Sequence, residues 1–255
     1  MNSHFNREEY NKLIEKYNYK EMLHDAFKQV ITPEYKKHGF KKKGKTFYRE
    51  REGIIEICEV QYSRGNHRTT ASFTYNTSIA IPSLYTKLGI QESDKLNTII
   101  CGLSFGEVVR WAYNLPASVD DWYYLEAYSQ EKPSDVYYGQ ELSEAEISKQ
   151  KSFESNWEMR YNVKTGEGFD KVLVEDIEKV ILHFFKSIPD AESLIEYLRN
   201  NEPKREFDEQ MMYQLGHLYY ENGEQEKGRE ILKRIRNGAY KVAINDDIES
   251  ERIVL

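Results

Sequence analysis

The chain has 255 residues, with 36 Lys and Arg against 43 Asp and Glu, a formal net charge of -7 and 39% hydrophobic residues. Aromatics make up 13%, including 20 Tyr, 11 Phe and 3 Trp, and such rings remove enough area from water to build a core with fewer aliphatics than usual. No apolar run has the length of a membrane helix, the first residues do not resemble a signal peptide, and two cysteines, Cys58 and Cys101, make neither a disulfide framework nor a metal site alone. The expectation is a folded cytoplasmic protein of one to two domains, without membrane association.

In the first segment, Tyr10, Leu13, Ile14 and Tyr17 recur on one helical face behind Asn6 and Glu9, which have capping-box spacing. The stripe Met22, Leu23, Ala26, Phe27, Val30 and Ile31 predicts a second helix over residues 20–38. Pro33 predicts a kink or a restart there, with Thr32 as cap, and Gly39 a stop.

From Thr46 the period changes to two, and 46–51, 54–64 and 69–81 read as an antiparallel meander. Ala71, Phe73, Tyr75, Thr77, Ile79 and Ile81 form its one buried face; Ser72, Thr74, Asn76 and Ser78 lie on the other. Residues 98–113, with Ile99, Leu103, Phe105, Val108 and Val109, also read as strand, broken by Gly102 and Gly106. Residues 129–168 read as a long loop or insertion with a short helix at 143–152.

Val172, Val174, Ile177, Val180, Ile181, Phe184 and Phe185 then predict an amphipathic helix, and Pro189 opens another carrying Leu194, Ile195 and Leu198. Residues 208–237 read as a helical hairpin turning at Glu221-Asn222-Gly223, and the acidic end as peripheral. The expected fold class is α+β: an antiparallel β-meander sheet packed against N-terminal and later helices, plus the C-terminal hairpin. The α+β domain spans 1–200 (core 20–128 and 169–200, insertion 129–168), and the hairpin with its acidic tail spans 201–255.

Charge is unevenly placed. Residues 1–75 hold 15 Lys and Arg against 10 Asp and Glu, leaving 21 against 33 for residues 76–255. Most of the basic excess is one run, Lys36, Lys37, Lys41, Lys42, Lys43, Lys45, Arg49 and Arg51, with Arg64 and Arg68 following. It reads first as a solvated turn and strand start, and second as a surface for phosphate or an acidic partner.

Catalytic signatures are absent. There is no G-x-S-x-G elbow, and Cys58 on the Ile54/Val60 face reads as core. The six histidines show no H-x-x-x-H spacing, so no metal and no cofactor is expected. Gly39 to Thr46 has the letters of a phosphate loop, but a helix precedes it and a strand follows, the reverse of what that loop needs. Asp120 and Asp121 before Trp122 read as capping acids beside an anchoring ring, or as a carboxylate pair in an aromatic pocket. Gln61, Arg64, Asn76 and Ser78 line a recognition surface if the sheet's polar face is open, and are ordinary hydrogen bonders if it is covered.

The segments Lys37-His38-Gly39-Phe40-Lys41-Lys42, Thr46-Phe47-Tyr48-Arg49, Val60-Gln61-Tyr62 and Phe73-Thr74-Tyr75-Asn76, with Arg110 and Asp120-Asp121-Trp122-Tyr123 downstream, resemble a bacterial family catalogued as domain of unknown function 4304. The resemblance covers roughly residues 20–200 and implies no established activity. Leu215-Gly216, Tyr219, Gly223 and Gly228 are similar to one tetratricopeptide unit. A lone unit of that kind packs on its domain rather than forming a groove.

The functional expectation is a protein-binding module without catalytic activity, toxin-neutralising in its most concrete form. The alternative is a nucleic-acid or phosphate-ligand binder, with Tyr48 and Tyr62 as stacking surfaces, and an enzyme of unrecognised type comes third. Candidate binding residues are Lys41, Lys42, Lys43, Lys45, Arg49, Gln61, Arg64, Asn76, Asp121 and Trp122.

Overall fold

A computed structural model of the chain describes residues 6–83, 96, 101–116, 122–126, 143–163, 165–201, 209–249 and 253–254. Helix α1 (Arg7–Lys16) begins where the Asn6 side chain accepts from the N–H groups of Glu8 and Glu9. Helix α2 (Tyr19–Ala26) is capped by Asn18 and runs unbroken through a π turn, Phe27–Ile31, into α3 (Thr32–Lys37). The expected restart at Thr32 is therefore corrected: Thr32 is helical, and its N–H donates to the Phe27 carbonyl five residues back. The widened turn draws the preceding carbonyls away from the Pro33 ring, so the helix continues without a side-chain cap.

Helix α3 ends in a Schellman motif. Gly39, at φ +83°, donates to the Lys36 carbonyl, and Phe40 donates to that of Tyr35. The Phe40 ring meets the Tyr35 ring edge-on at 5.2 Å, the apolar contact this motif usually carries.

Strand β1 (Lys41–Lys43) leads through Gly44-Lys45 into β2 (Thr46–Arg51), and Glu52-Gly53 leads into β3 (Ile54–Tyr62). Glu52 and Gly53 both have positive φ, +46° and +83°, which suits the turn twist to that of the strands it joins. Strand β4 (Thr70–Ala80) is followed by β5 (Cys101–Ser104), helix α4 (Phe105–Ala112), β6 (Tyr123–Glu126), α5 (Glu144–Tyr161) and β7 (Asn162–Val163). Then come α6 (Phe169–Asp176), a second π turn at Ile177–Ile181, α7 (Leu182–Ser187), α8 (Ala191–Asn201), α9 (Glu209–Glu221), α10 (Gln225–Ile235) and α11 (Lys241–Glu249).

The sheet has the order β1-β2-β3-β4-β6-β7, with β5 also on β4. Strand β4 is antiparallel to β6, with Phe73 opposite Tyr123, and β6 is parallel to β7. The architecture is α+β, as expected. Among the described residues no helix is long and apolar enough to cross a membrane.

Four local expectations change. Among the described residues of the strand predicted over 98–113, only Cys101–Ser104 is strand; Ser104 and Glu107 form a reciprocal capping box that starts α4, and Phe105, Val108 and Val109 are buried at helical spacing. The helix inside the 129–168 insertion runs on to Tyr161, while residues 127–142 lie outside the described residues. Strand β4 is not buried on one face alone, since Thr74, Ser78 and Ala80 are buried along with Thr77 and Ile79. The acidic end is not peripheral: Ile244 and Ile253 are core, and the buried Asp247 accepts from Tyr213.

By contacts the chain divides into two compact units: Met1–Phe47, Cys58–Thr77 and Leu103–Phe184 in one, and Tyr48–Ile57, Ser78–Gly102 and Phe185–Leu255 in the other. The first holds an aromatic core. Tyr35 stacks on Phe47 at 4.4 Å and Phe73 on Tyr123 at 4.6 Å, while Tyr75 meets Phe105 and Tyr123 edge-on. The second holds a cluster of Tyr213, Leu232, Ile235, Ile244 and Ile253, and another of Ile55, Ile57 and Ala80 with Tyr48 and Leu96 against it. In the second unit α9 and α10 approach closely, because a Cβ on Gly228 would lie 2.7 Å from the Gly216 carbonyl oxygen.

Candidate functional site

The basic run separates into neutralised and unneutralised charges. Arg49 Nε donates to Glu56 Oε2 at 2.7 Å, and an Arg51 terminal nitrogen lies 2.9 Å from Glu56 Oε1 while donating to the Phe185 carbonyl. Glu56 is fully buried. Burial pushes its carboxyl pKa up, against the pull of Arg49 and Arg51. Arg49 is thus part of a largely buried ion cluster rather than an open binding surface.

Lys37 is committed in the same way. Its Nζ donates to Glu34 Oε1 at 3.0 Å and to Glu178 Oε1 at 2.9 Å. The hydrogen bonds to Glu178 and Glu34 hold the ammonium pKa up, and the one from Lys37 holds the Glu178 carboxyl down. His38 Nε2 joins the knot 2.9 Å from Glu34 Oε1 and 3.7 Å from Glu178 Oε1. Glu34, His38 and Glu178 therefore present three potential ligand atoms within 4.8 Å of one another. Scanning for paired histidines or cysteines missed this group. The signal available was Glu34-x-x-x-His38, one turn apart on a helix; Glu178 is too distant in sequence to have been found.

Lys41, Lys42, Lys43 and Lys45 are different. All four are exposed, and among the described residues none is paired with a carboxylate. Lys42 Nζ lies 5.0 Å from the Phe27 ring centre, and Lys45 Nζ lies 3.9 Å from that of Tyr62, which anchors two of the charges on aromatic faces. Lys41 to Lys43 form β1, at the end of the strand order.

The polar sheet residues are partly used up. The Asn76 side-chain amide donates to Gln61 Oε1 at 2.7 Å, Arg64 is exposed, and Trp122 is half-buried. Asp120 and Asp121 lie outside the described residues. The phosphate-loop letters resolve into a helix cap at Gly39 and a hairpin at Gly44, so no amide cradle forms between them.

Buried polar side chains gather in the core instead. The Tyr35 hydroxyl donates to Cys58 Sγ at 2.8 Å, and Tyr123 donates to the buried Asp176 at 3.0 Å. Burial pushes the Cys58 thiol pKa up to about 12, so the sulfur packs as a core atom and stays a thiol at neutral pH. In the second unit Tyr213 and His217 both meet Asp247 Oδ2, at 2.5 and 2.9 Å, and all three are buried. This network pins α11 to α9.

No curated protein and no solved structure matches the chain. Residues 31–137 match the model of one family, a narrower span than the resemblance covered, and one that contains the helix cap, both hairpins and β1 to β6. That segment of the chain is similar to the family described as Domain of unknown function (DUF4304).

Proposed function

We propose that the domain is a non-catalytic protein-docking module, in which the edge strand β1 and its hairpin receive an acidic, extended segment of a partner protein. The observation that carries this reading is the split in the basic run: Lys37, Arg49 and Arg51 are neutralised within the fold, whereas Lys41, Lys42, Lys43 and Lys45 are not. An edge strand offers backbone N–H and C=O groups for strand addition. Lysines there repel basic strands, lose hydration without compensation against neutral ones and favour an acidic one, so the same charges that prevent indiscriminate pairing supply selectivity.

The nucleic-acid alternative has weaker support. Its stacking surfaces are engaged, since Tyr62 meets the Phe27 ring edge-on and lies under Lys45, and Tyr48 packs against Ile55, Ile57 and Ala80. As a toxin-neutralising protein, the module would hold a toxin that presents an acidic stretch. A neighbouring gene encoding such a toxin, with protection on co-expression, supports that version.

The test is titration of the full chain with a strand-forming peptide alternating Glu and Val, and separately with single-stranded DNA, across a salt series. Peptide binding is expected, weakened at least tenfold by Lys41→Glu/Lys42→Glu/Lys43→Glu, since three exposed ion pairs contribute about 0.2–1 kcal/mol each before repulsion is added. The triple variant should keep its stability within about 0.5 kcal/mol, as surface changes do. Peptide binding indifferent to the triple change sinks the proposal; DNA binding with a steep salt slope and no peptide binding installs the alternative.

A further inference from the structure

We infer that Glu34, His38 and Glu178 form a binding site for a divalent transition-metal cation of the zinc class, with the Lys37 ammonium as its resident competitor. Two ligands stand at i and i+4 at the end of α3, Glu34 within the helix and His38 as its C-cap residue. The third belongs to the π turn Ile177–Ile181.

The spacing suits such an ion. Glu34 Oε1 to His38 Nε2 is 2.9 Å, and His38 Nε2 to Glu178 Oε1 is 3.7 Å. These bracket the ligand-to-ligand edge of a tetrahedral site, about 3.3 Å for metal–ligand bonds of about 2.0–2.1 Å. Adjustments of a few tenths of an ångström bring these two edges to that length, and the third, between the two carboxylates, lies within 4.8 Å. An imidazole with two carboxylates is a donor set that zinc and its neighbours accept, whereas calcium and magnesium prefer oxygen alone.

A cation already stands against the two carboxylates. Lys37 Nζ contacts both, at 3.0 and 2.9 Å, which places positive charge where a metal would sit. The Lys37 side chain is 57% exposed, so it can swing into water without disturbing the core, whereas the Glu34 side chain is only 11% exposed and stays in place. Three protein ligands leave the fourth position for water or an exogenous group. A π turn adjoins the ligands on both chain segments, Phe27–Ile31 ahead of Glu34 and Ile177–Ile181 around Glu178. Isolated wide turns of this kind are frequent at functional sites. Glu178 lies beyond the matched residues 31–137, so the site joins that domain to the sequence that follows it.

The experiment is calorimetric titration of the tag-free full chain with Zn²⁺, with Co²⁺ absorption as a second readout of nitrogen and oxygen ligation. One equivalent is expected per chain. His38→Ala should weaken binding at least tenfold, and Lys37→Ala should strengthen it several-fold by removing the competing ammonium. Lys37→Ala alters an exposed side chain, so it reads the site even where His38→Ala fails to fold. The inference is overturned by a wild-type chain that shows no saturable uptake, or by a Lys37→Ala affinity equal to or below that of the wild type.

Discussion

Gly228→Ala sets two physical effects of opposite sign against each other. Gly228 lies inside α10, where exchange of glycine for alanine favours the helix by about 0.8–1.0 kcal/mol. The added Cβ, however, would stand 2.7 Å from the Gly216 carbonyl oxygen and 2.9 Å from the Tyr220 backbone nitrogen. Both are backbone atoms of α9, and contact distances of about 3.5 Å put the overlap above half an ångström. No side-chain rotation relieves it, so α9 and α10 must separate over a core that includes the fully buried Leu232. Overpacking of this kind costs about 1–3 kcal/mol, and set against the helix gain the expected net loss is about 0–2 kcal/mol. Urea unfolding of the full chain followed by far-UV circular dichroism reads it as a lower midpoint at unchanged slope. A midpoint above that of the wild type refutes the close approach of the two helices.

Two further changes probe buried polar groups. The Tyr75 hydroxyl is buried with no hydrogen-bond partner among the described residues, so Tyr75→Phe should leave thermal stability unchanged or raise it by up to about 1 kcal/mol; a clear loss would reveal a partner for the hydroxyl. Glu56 is an acid whose folded pKa is raised, chiefly by burial, so its contribution to stability is fully present below the unfolded pKa and declines as pH rises through the folded one. Glu56→Gln, which mimics the protonated acid, should therefore match wild type near pH 4 and become the more stable of the two as pH rises toward 7 in paired denaturant titrations. A variant that falls below wild type as pH rises would mean that Arg49 and Arg51 outweigh burial.

Much of the β region was legible because its signals are local. Gly39 ends a helix, Glu52-Gly53 makes a tight turn, and the two-residue period of 70–80 fixes a strand, each within a few residues. The misreading at 105–112 arose because Val108, Val109 and Trp111 favour strands one by one, while the Ser104/Glu107 box and burial at helical spacing decide the outcome. The basic run was legible as charge but not as function. Which lysines stay unneutralised depends on partners such as Glu178, 141 residues from Lys37, and no local pattern encodes a pairing at that range. Burial of the acidic end was hidden for the same reason, since Asp247 reads as solvent-facing until Tyr213 and His217 are brought to it.

The two wide turns change what counts as a helix pattern in this chain. Tyr19, Leu23, Phe27, Ile31 and Tyr35 are buried at every fourth position, and so are Phe169, Leu173, Ile177, Ile181 and Phe185. At about 100° per residue, a uninterrupted α-helix from Tyr19 to Tyr35 would drift about 160° past whole turns and point Tyr35 away from the core. One extra residue absorbed in the wide turn takes back about 100° of that drift. A strict apolar tetrad is thus the written form of each turn, and the residue count inside it is fixed. Deleting Gln29 alone would swing Tyr35 off Phe47 and carry Glu34, Lys37 and His38 through more than a quarter of a revolution, without altering one of the side chains named in either site.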